Sequence, residues 1–169
     1  MEANILIAGF VLCVGIVSTL VLDLWVVLLE RYAGLPRTDW RQVGRWLRGL
    51  ASGNLVLRED APDREGAGDA VLGWCFHYGV GLAYAALLPA IWGRELIVYP
   101  QPLPYILIGF VLSTFAGLGI LTPCMGGGFM GRFLPRKAPV YAYVLVAHIV
   151  FTLAQYATAL GYALWFLSV

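Results

Sequence analysis

Four long apolar stretches, Asn4–Leu29, Ala70–Trp92, Leu103–Pro123 and Pro139–Val169, dominate the chain. Each reaches the roughly 20 residues that a helix rising about 1.5 Å per residue needs to cross a hydrocarbon core of about 30 Å. A soluble domain of 169 residues that is 60 % hydrophobic and 12 % charged could not bury so much apolar surface. The sequence therefore predicts an all-α integral membrane protein: one domain, 1–169, folded as a four-transmembrane-helix bundle with spans at 4–29, 70–92, 103–123 and 139–169. The N-terminal stretch lacks a basic n-region and a small-residue cleavage pattern, so it reads as a retained anchor rather than a signal peptide.

Basic residues set the orientation. The segment 30–69 carries Arg31, Arg37, Arg41, Arg45, Arg48, Arg58 and Arg64, and the segment before the fourth span adds Arg132, Arg136 and Lys137. The remaining connection has Arg94 alone. Ten of eleven cationic side chains thus lie on one side, which the positive-inside rule assigns to the cytoplasm, leaving both termini outside it. A formal net charge of +1 provides no basic field for nucleic acid. Cys13, Cys75 and Cys124 are isolated and suggest neither a disulfide framework nor a zinc motif.

Within the first cytoplasmic segment, Trp40, Val43, Leu47 and Leu50 recur at helical spacing, Arg41, Arg45 and Arg48 share another face, and Asp39 is placed to cap the start. This pattern predicts a short amphipathic helix over 39–50, lying in the headgroup layer with its arginines toward lipid. Packing of the same helix on the bundle is the alternative. Gly109, Ser113 and Gly117, with the pairs Gly79/Ala83 and Ala157/Gly161, are spaced for close helix approach, within the chain or in a homo-oligomer. Trp92, Tyr99, Tyr105 and Trp165 suit the outer membrane–water interface, and Trp25, Tyr32, Trp74 and Tyr141 the inner one.

Ionisable groups inside lipid are costly and mark candidate sites. Asp23, His77 and His148 lie about 10, 12 and 16 Å in from the cytoplasmic ends of their helices at the usual rise per residue. One reading is structural: Asp23 bonds a histidine, Ser18 or Thr19 and glues helices. Another is a site for a small ligand or proton, with Asp23 as anionic anchor and the histidines as switchable donors. A haem b held between His77 and His148 is a third, and a metal site of Asp23, His77, His148 and Cys124 a fourth. Downstream, Pro123 and the glycines Gly126, Gly127 and Gly128 break the third span. They form a turn, or a cradle of backbone N–H groups for a phosphate or headgroup beside Arg132, Arg136 and Lys137. Neither a P-loop nor a Ser/His/Asp triad is present, and no enzymatic activity is expected.

Several stretches resemble, together, an uncharacterised family of small bacterial inner-membrane proteins with a domain of unknown function. They are Gly15-Ile16-Val17-Ser18-Thr19, Asp23-Leu24-Trp25, Asp39-Trp40, Val43-Gly44-Arg45-Trp46, Gly73-Trp74, His77-Tyr78, Pro123-Cys124-Met125-Gly126-Gly127-Gly128 and His148. The resemblance implies four spans in a bacterial inner membrane and directs attention to Asp23, His77, Met125, Gly126 and His148. It implies no activity. The expected function is binding, and transport, of a small ligand or proton at a cytoplasm-facing polar site made by Asp23, His77, Tyr78, Met125, Gly126 and His148. The alternatives are a haem-binding redox or accessory subunit and a structural subunit of a larger membrane complex. Membrane lipids are the expected partners, with Arg41, Arg45 and Arg48 toward their headgroups.

Overall fold

A computed structural model of the chain describes residues 2–35, 37–57 and 67–168. In chain order the helices are α1 (Glu2–Ala33), α2 (Trp40–Leu50), α3 (Gly68–Trp92), the single turn α4 (Glu95–Val98), α5 (Pro102–Cys124) and α6 (Lys137–Ser168). No strand occurs among the described residues. α1, α3, α5 and α6 are long and apolar enough to cross a membrane. Their outward surfaces are apolar too, with Ile5, Leu153, Leu164 and Trp165 each more than 60 % exposed. Such surfaces are stable only where lipid replaces water, so the chain is a membrane protein. Arg58 and Arg64, part of the basic asymmetry, fall outside the described residues.

Pro102 starts α5, where its missing N–H costs nothing and its fixed φ suits a first turn. Farther along, α5 widens into π-helical turns over Ile106–Leu112 and Gly117–Leu121. α1 packs against both α3 and α6, and α5 closes the bundle chiefly through α6. Phe10, Val14, Ala85, Leu88, Ile97, Tyr105, Ile108 and Ala159 fill the half of the bundle away from α2. Tyr105 is completely buried, its ring 5.3 Å from that of Tyr156. The outer-interface position expected for it is therefore incorrect: α5 turns Tyr105 inward with Ile108.

Glycines set the helix crossings. A Cβ on Gly15 would lie 2.9 Å from the Leu82 backbone, and one on Gly81 would overlap the Thr19 hydroxyl, so α1 and α3 meet backbone to backbone. A Cβ on Gly109 would fall 2.8 Å from the Thr152 hydroxyl on α6, as the Gly109–Gly117 spacing anticipates. The pairs Gly79/Ala83 and Ala157/Gly161 were expected to do the same, but they face outward and nothing lies within 4 Å of Gly79 or Gly161. α3 instead presents Gly73, His77, Gly81 and Ala85 to the interior, one residue per turn.

α2 forms where the 39–50 pattern places it, with the Asp39 side chain accepting from Arg41 N at 3.0 Å as an N-cap. The helix is docked on α3. A Cβ on Gly44 would overlap the Asp69 carbonyl, and one on Gly73 the Trp40 carbonyl. The buried face is Val43, Gly44 and Trp46, with Leu47 and Leu50 half-buried. The Trp46 indole donates to the Leu55 carbonyl at 3.0 Å. Arg48 donates to Asp69 Oδ1 at 2.6 Å, and Asp69 is only 5 % exposed. That ion pair corrects the placement of Arg48 toward headgroups: the buried carboxylate at the start of α3 claims it. Arg41 is exposed and Arg45 half-buried.

Substituting Gly44 or Gly73 by alanine forces α2 and α3 apart. Each change should cost about 1–3 kcal/mol, as overpacking does, whereas Gly79→Ala and Gly161→Ala should stay within about 0.5 kcal/mol. Unfolding of the purified protein in detergent measures both sets.

Candidate functional site

Asp23 sits nearly three turns from the α2-facing end of α1. Carried inside an apolar helix, its carboxylate must find hydrogen bonds within the protein. It finds two on α3. His77 Nε2 lies 2.8 Å from Asp23 Oδ1, and the Tyr78 hydroxyl donates to Oδ2 at 2.9 Å. A neutral imidazole makes the first bond as an Nε2–H donor, and a protonated one turns it into an ion pair. Consecutive residues of α3 thus hold both carboxylate oxygens, and the side chain remains 22 % exposed. The hydroxyls suggested as partners do otherwise. Ser18 donates to the Val14 carbonyl at 2.6 Å and Thr19 to the Gly15 carbonyl at 2.7 Å, both within α1.

The His77 ring is boxed in. Trp40, at the start of α2, stacks on it with centroids 4.0 Å apart and planes 23° from parallel. Trp74 approaches edge-on at 5.7 Å. The close α2–α3 crossing at Gly44 and Gly73 is what delivers Trp40 to this position.

Asp23, His77, Trp40 and Trp74 line a cavity of about 1110 Å³ between α1, α2, α3, α5 and α6; Tyr78 is not part of its wall. His148 lines the same cavity from α6, with its Nδ1 2.9 Å from the Thr114 hydroxyl on α5. Gly117 makes room for the imidazole, since a Cβ there would stand 3.4 Å from its Cε1. Asp23, His77 and His148 therefore share a cavity, but the first two form a bonded pair and the third is tied to a separate hydroxyl. Glu30, Arg37, Thr38, Asp39 and Arg41 mark its mouth beside α2. Arg37 Nε pairs with Glu30 at 2.7 Å.

Met125 lines the cavity, while Gly126 is exposed and does not. The turn that contains them is tightly folded. Backbone N–H groups of Met125, Gly126, Gly127, Gly131, Arg132, Phe133 and Leu134 all donate to carbonyls within 121–131. Leu57 N–H bonds the Cys124 carbonyl at 2.7 Å, and the Tyr141 hydroxyl bonds that of Met130 at 2.5 Å. Gly126, Gly128 and Gly131 take positive φ, which glycine adopts without penalty. The turn thus spends the N–H groups of Gly126 and Gly127, two of the donors the anticipated cradle would use, on its own carbonyls.

The four-residue metal site does not assemble, as no group of three or more His, Cys, Asp or Glu is placed to hold an ion among the described residues. Iron coordinated by His77 Nε2 would have to displace the Asp23 bond. Trp40 and Thr114 were not read from the sequence as partners of the two histidines. Their only signals are Gly44 and Gly73, and the turn spacing that sets Thr114 between Gly109 and Gly117.

The bonded pair and the separate histidine predict a difference in coupling. A double-mutant cycle of Asp23→Asn with His77→Gln should show interaction energy of about 1 kcal/mol, in the range of hydrogen bonds between membrane helices. Asp23→Asn with His148→Gln should be additive within about 0.5 kcal/mol. Unfolding in mixed micelles measures both.

No curated protein and no solved structure matches the chain. The family model described as "Protein of unknown function (DUF2938)" matches residues 12–161, from the middle of α1 almost to the end of α6. The match takes in Asp23, His77, Tyr78 and His148, and the chain belongs to this family.

Proposed function

We propose that the protein binds a small ligand in the cavity between its spans, with Asp23, His77 and His148 as the polar contacts, Met125 in the wall, and Tyr78 holding the Asp23 carboxylate from outside the wall. The observation that carries this reading is a carboxylate at membrane depth beside about 1110 Å³ of open space. A residue serving only to join α1 to α3 would satisfy its bonds in a packed interface. Asp23 keeps both oxygens bonded and still faces a cavity large enough for a small molecule. Gly126 has no part in the wall and drops out of the proposed contacts.

The mouth beside α2 carries Arg37 and Arg41, on the basic side of the sequence, so the cavity opens to the cytoplasm and both termini lie across the inner membrane.

Two experiments test the proposal. Small molecules that co-purify with the protein in lipid nanodiscs, extracted and identified by mass spectrometry, should include a non-lipid species that Asp23→Asn retains about tenfold less. Equal retention by the variant would remove the site. A reporter enzyme fused after Val169 should be active only outside the cytoplasm, and one inserted at Pro62 only inside; the reverse pattern would invert the orientation.

A further inference from the structure

We propose that the ligand is a lipophilic organic cation, an amine or quaternary ammonium on an apolar body, with Asp23 as its counter-ion. The inference rests on the binding reading above and names the chemical class. It begins from charge. His77 and Tyr78 supply hydrogen bonds to Asp23, and with a neutral imidazole they leave its full negative charge in place. Two guanidiniums line the cavity, both at its mouth. Arg37 is paired with Glu30, and Arg41 is exposed. The remaining carboxylate in the wall, Asp39, caps α2. At the depth of Asp23 an ionised carboxylate is therefore balanced by a proton on His77 or by a bound cation. His148, the other imidazole in the wall, is held against Thr114 on the α5–α6 side. An anionic ligand would meet the Asp23 charge in a medium that screens it weakly.

The wall favours the same class. Rings of Trp40, Trp74, Tyr84, Tyr143 and Phe151 line the cavity, and aromatic faces attract organic cations, quaternary ammoniums above all. A volume of about 1110 Å³ far exceeds the need of an inorganic ion. Val27 and Ile120 line the cavity and are 41 % and 55 % exposed on the bundle surface, so an amphiphile dissolved in lipid has an apolar approach.

The test compares tetraphenylphosphonium with tetraphenylborate, ions of nearly the same size and shape and opposite charge. Equilibrium dialysis of the full chain in maltoside micelles, with empty micelles subtracted, should show saturable binding of the phosphonium and none of the borate. Asp23→Asn should weaken the phosphonium about tenfold or more, and Asp23→Glu should restore part of the loss. Saturable borate binding, or absence of saturable phosphonium binding, overturns the cation class. The wild-type comparison decides this even if Asp23→Asn fails to fold. A co-purifying ligand lost in Asp23→Asn would still uphold the wider binding reading, so the two can fail separately.

Discussion

The bond between the Asp23 carboxylate and His77 Nε2 ties α1 to α3 at membrane depth, where an ionisable side chain is costly unless it is bonded. Its surroundings follow from helical spacing. On α1, Gly15, Thr19 and Asp23 stack one turn apart; on α3, Gly73, His77 and Gly81 do the same. Gly15 and Gly81 bring the two backbones together one to two turns above the bond, and Thr19 fills the notch that Gly81 leaves. One turn below, Gly73 admits Gly44 of α2, which lays Trp40 on the far face of the imidazole. Hydrogen bonds between membrane helices are individually modest, about 0.6 kcal/mol on average. Close backbone packing on both sides is what holds this one in register.

The bundle consequently has two unlike halves. Away from α2 the helices converge on Phe10, Leu88, Ile97, Tyr105 and Ile108, and little space remains. Toward α2 they part, and the gap between α5 and its neighbours becomes the cavity. The π-helical turns of α5 accompany this change, placing Ser113, Gly117 and Leu121 along the wall. Such turns widen a helix and recur at functional sites. The Ser113 hydroxyl back-bonds to the Gly109 carbonyl, which keeps that polar group satisfied where the regular ladder is disturbed.

Length and polarity made the spans legible, because lipid imposes a minimum run of apolar residues. The 39–50 helix was legible from its cap and periodicity. The shared depth of Asp23 and His77 followed from rise per residue alone. Helix faces were a different matter. In lipid the outer and inner faces are both apolar, so spacing could not separate Gly79/Ala83, which faces out, from Gly15 and Gly81, which carry the crossing. Tyr105 was misplaced for the same reason: an aromatic near a span end serves an interface or a core equally well. Trp40 over His77 depends on three segments distant in sequence. The self-bonded turn at 121–134 depends on backbone donors that composition does not reveal.

The central claim, a cavity within the membrane that carries Asp23, His77 and His148 in its wall and opens to water only beside α2, is tested most directly by one-sided thiol labelling. With Cys13, Cys75 and Cys124 replaced by alanine, Ala116→Cys and Ala147→Cys place single thiols in or beside the cavity wall, and Ala159→Cys places one in the closed half. A charged, membrane-impermeant reagent should modify the first two from the α2 side and not from the other, and should leave Ala159→Cys unmodified from either. Modification of Ala147→Cys from the opposite side, or protection of both cavity thiols from the α2 side, would contradict the account.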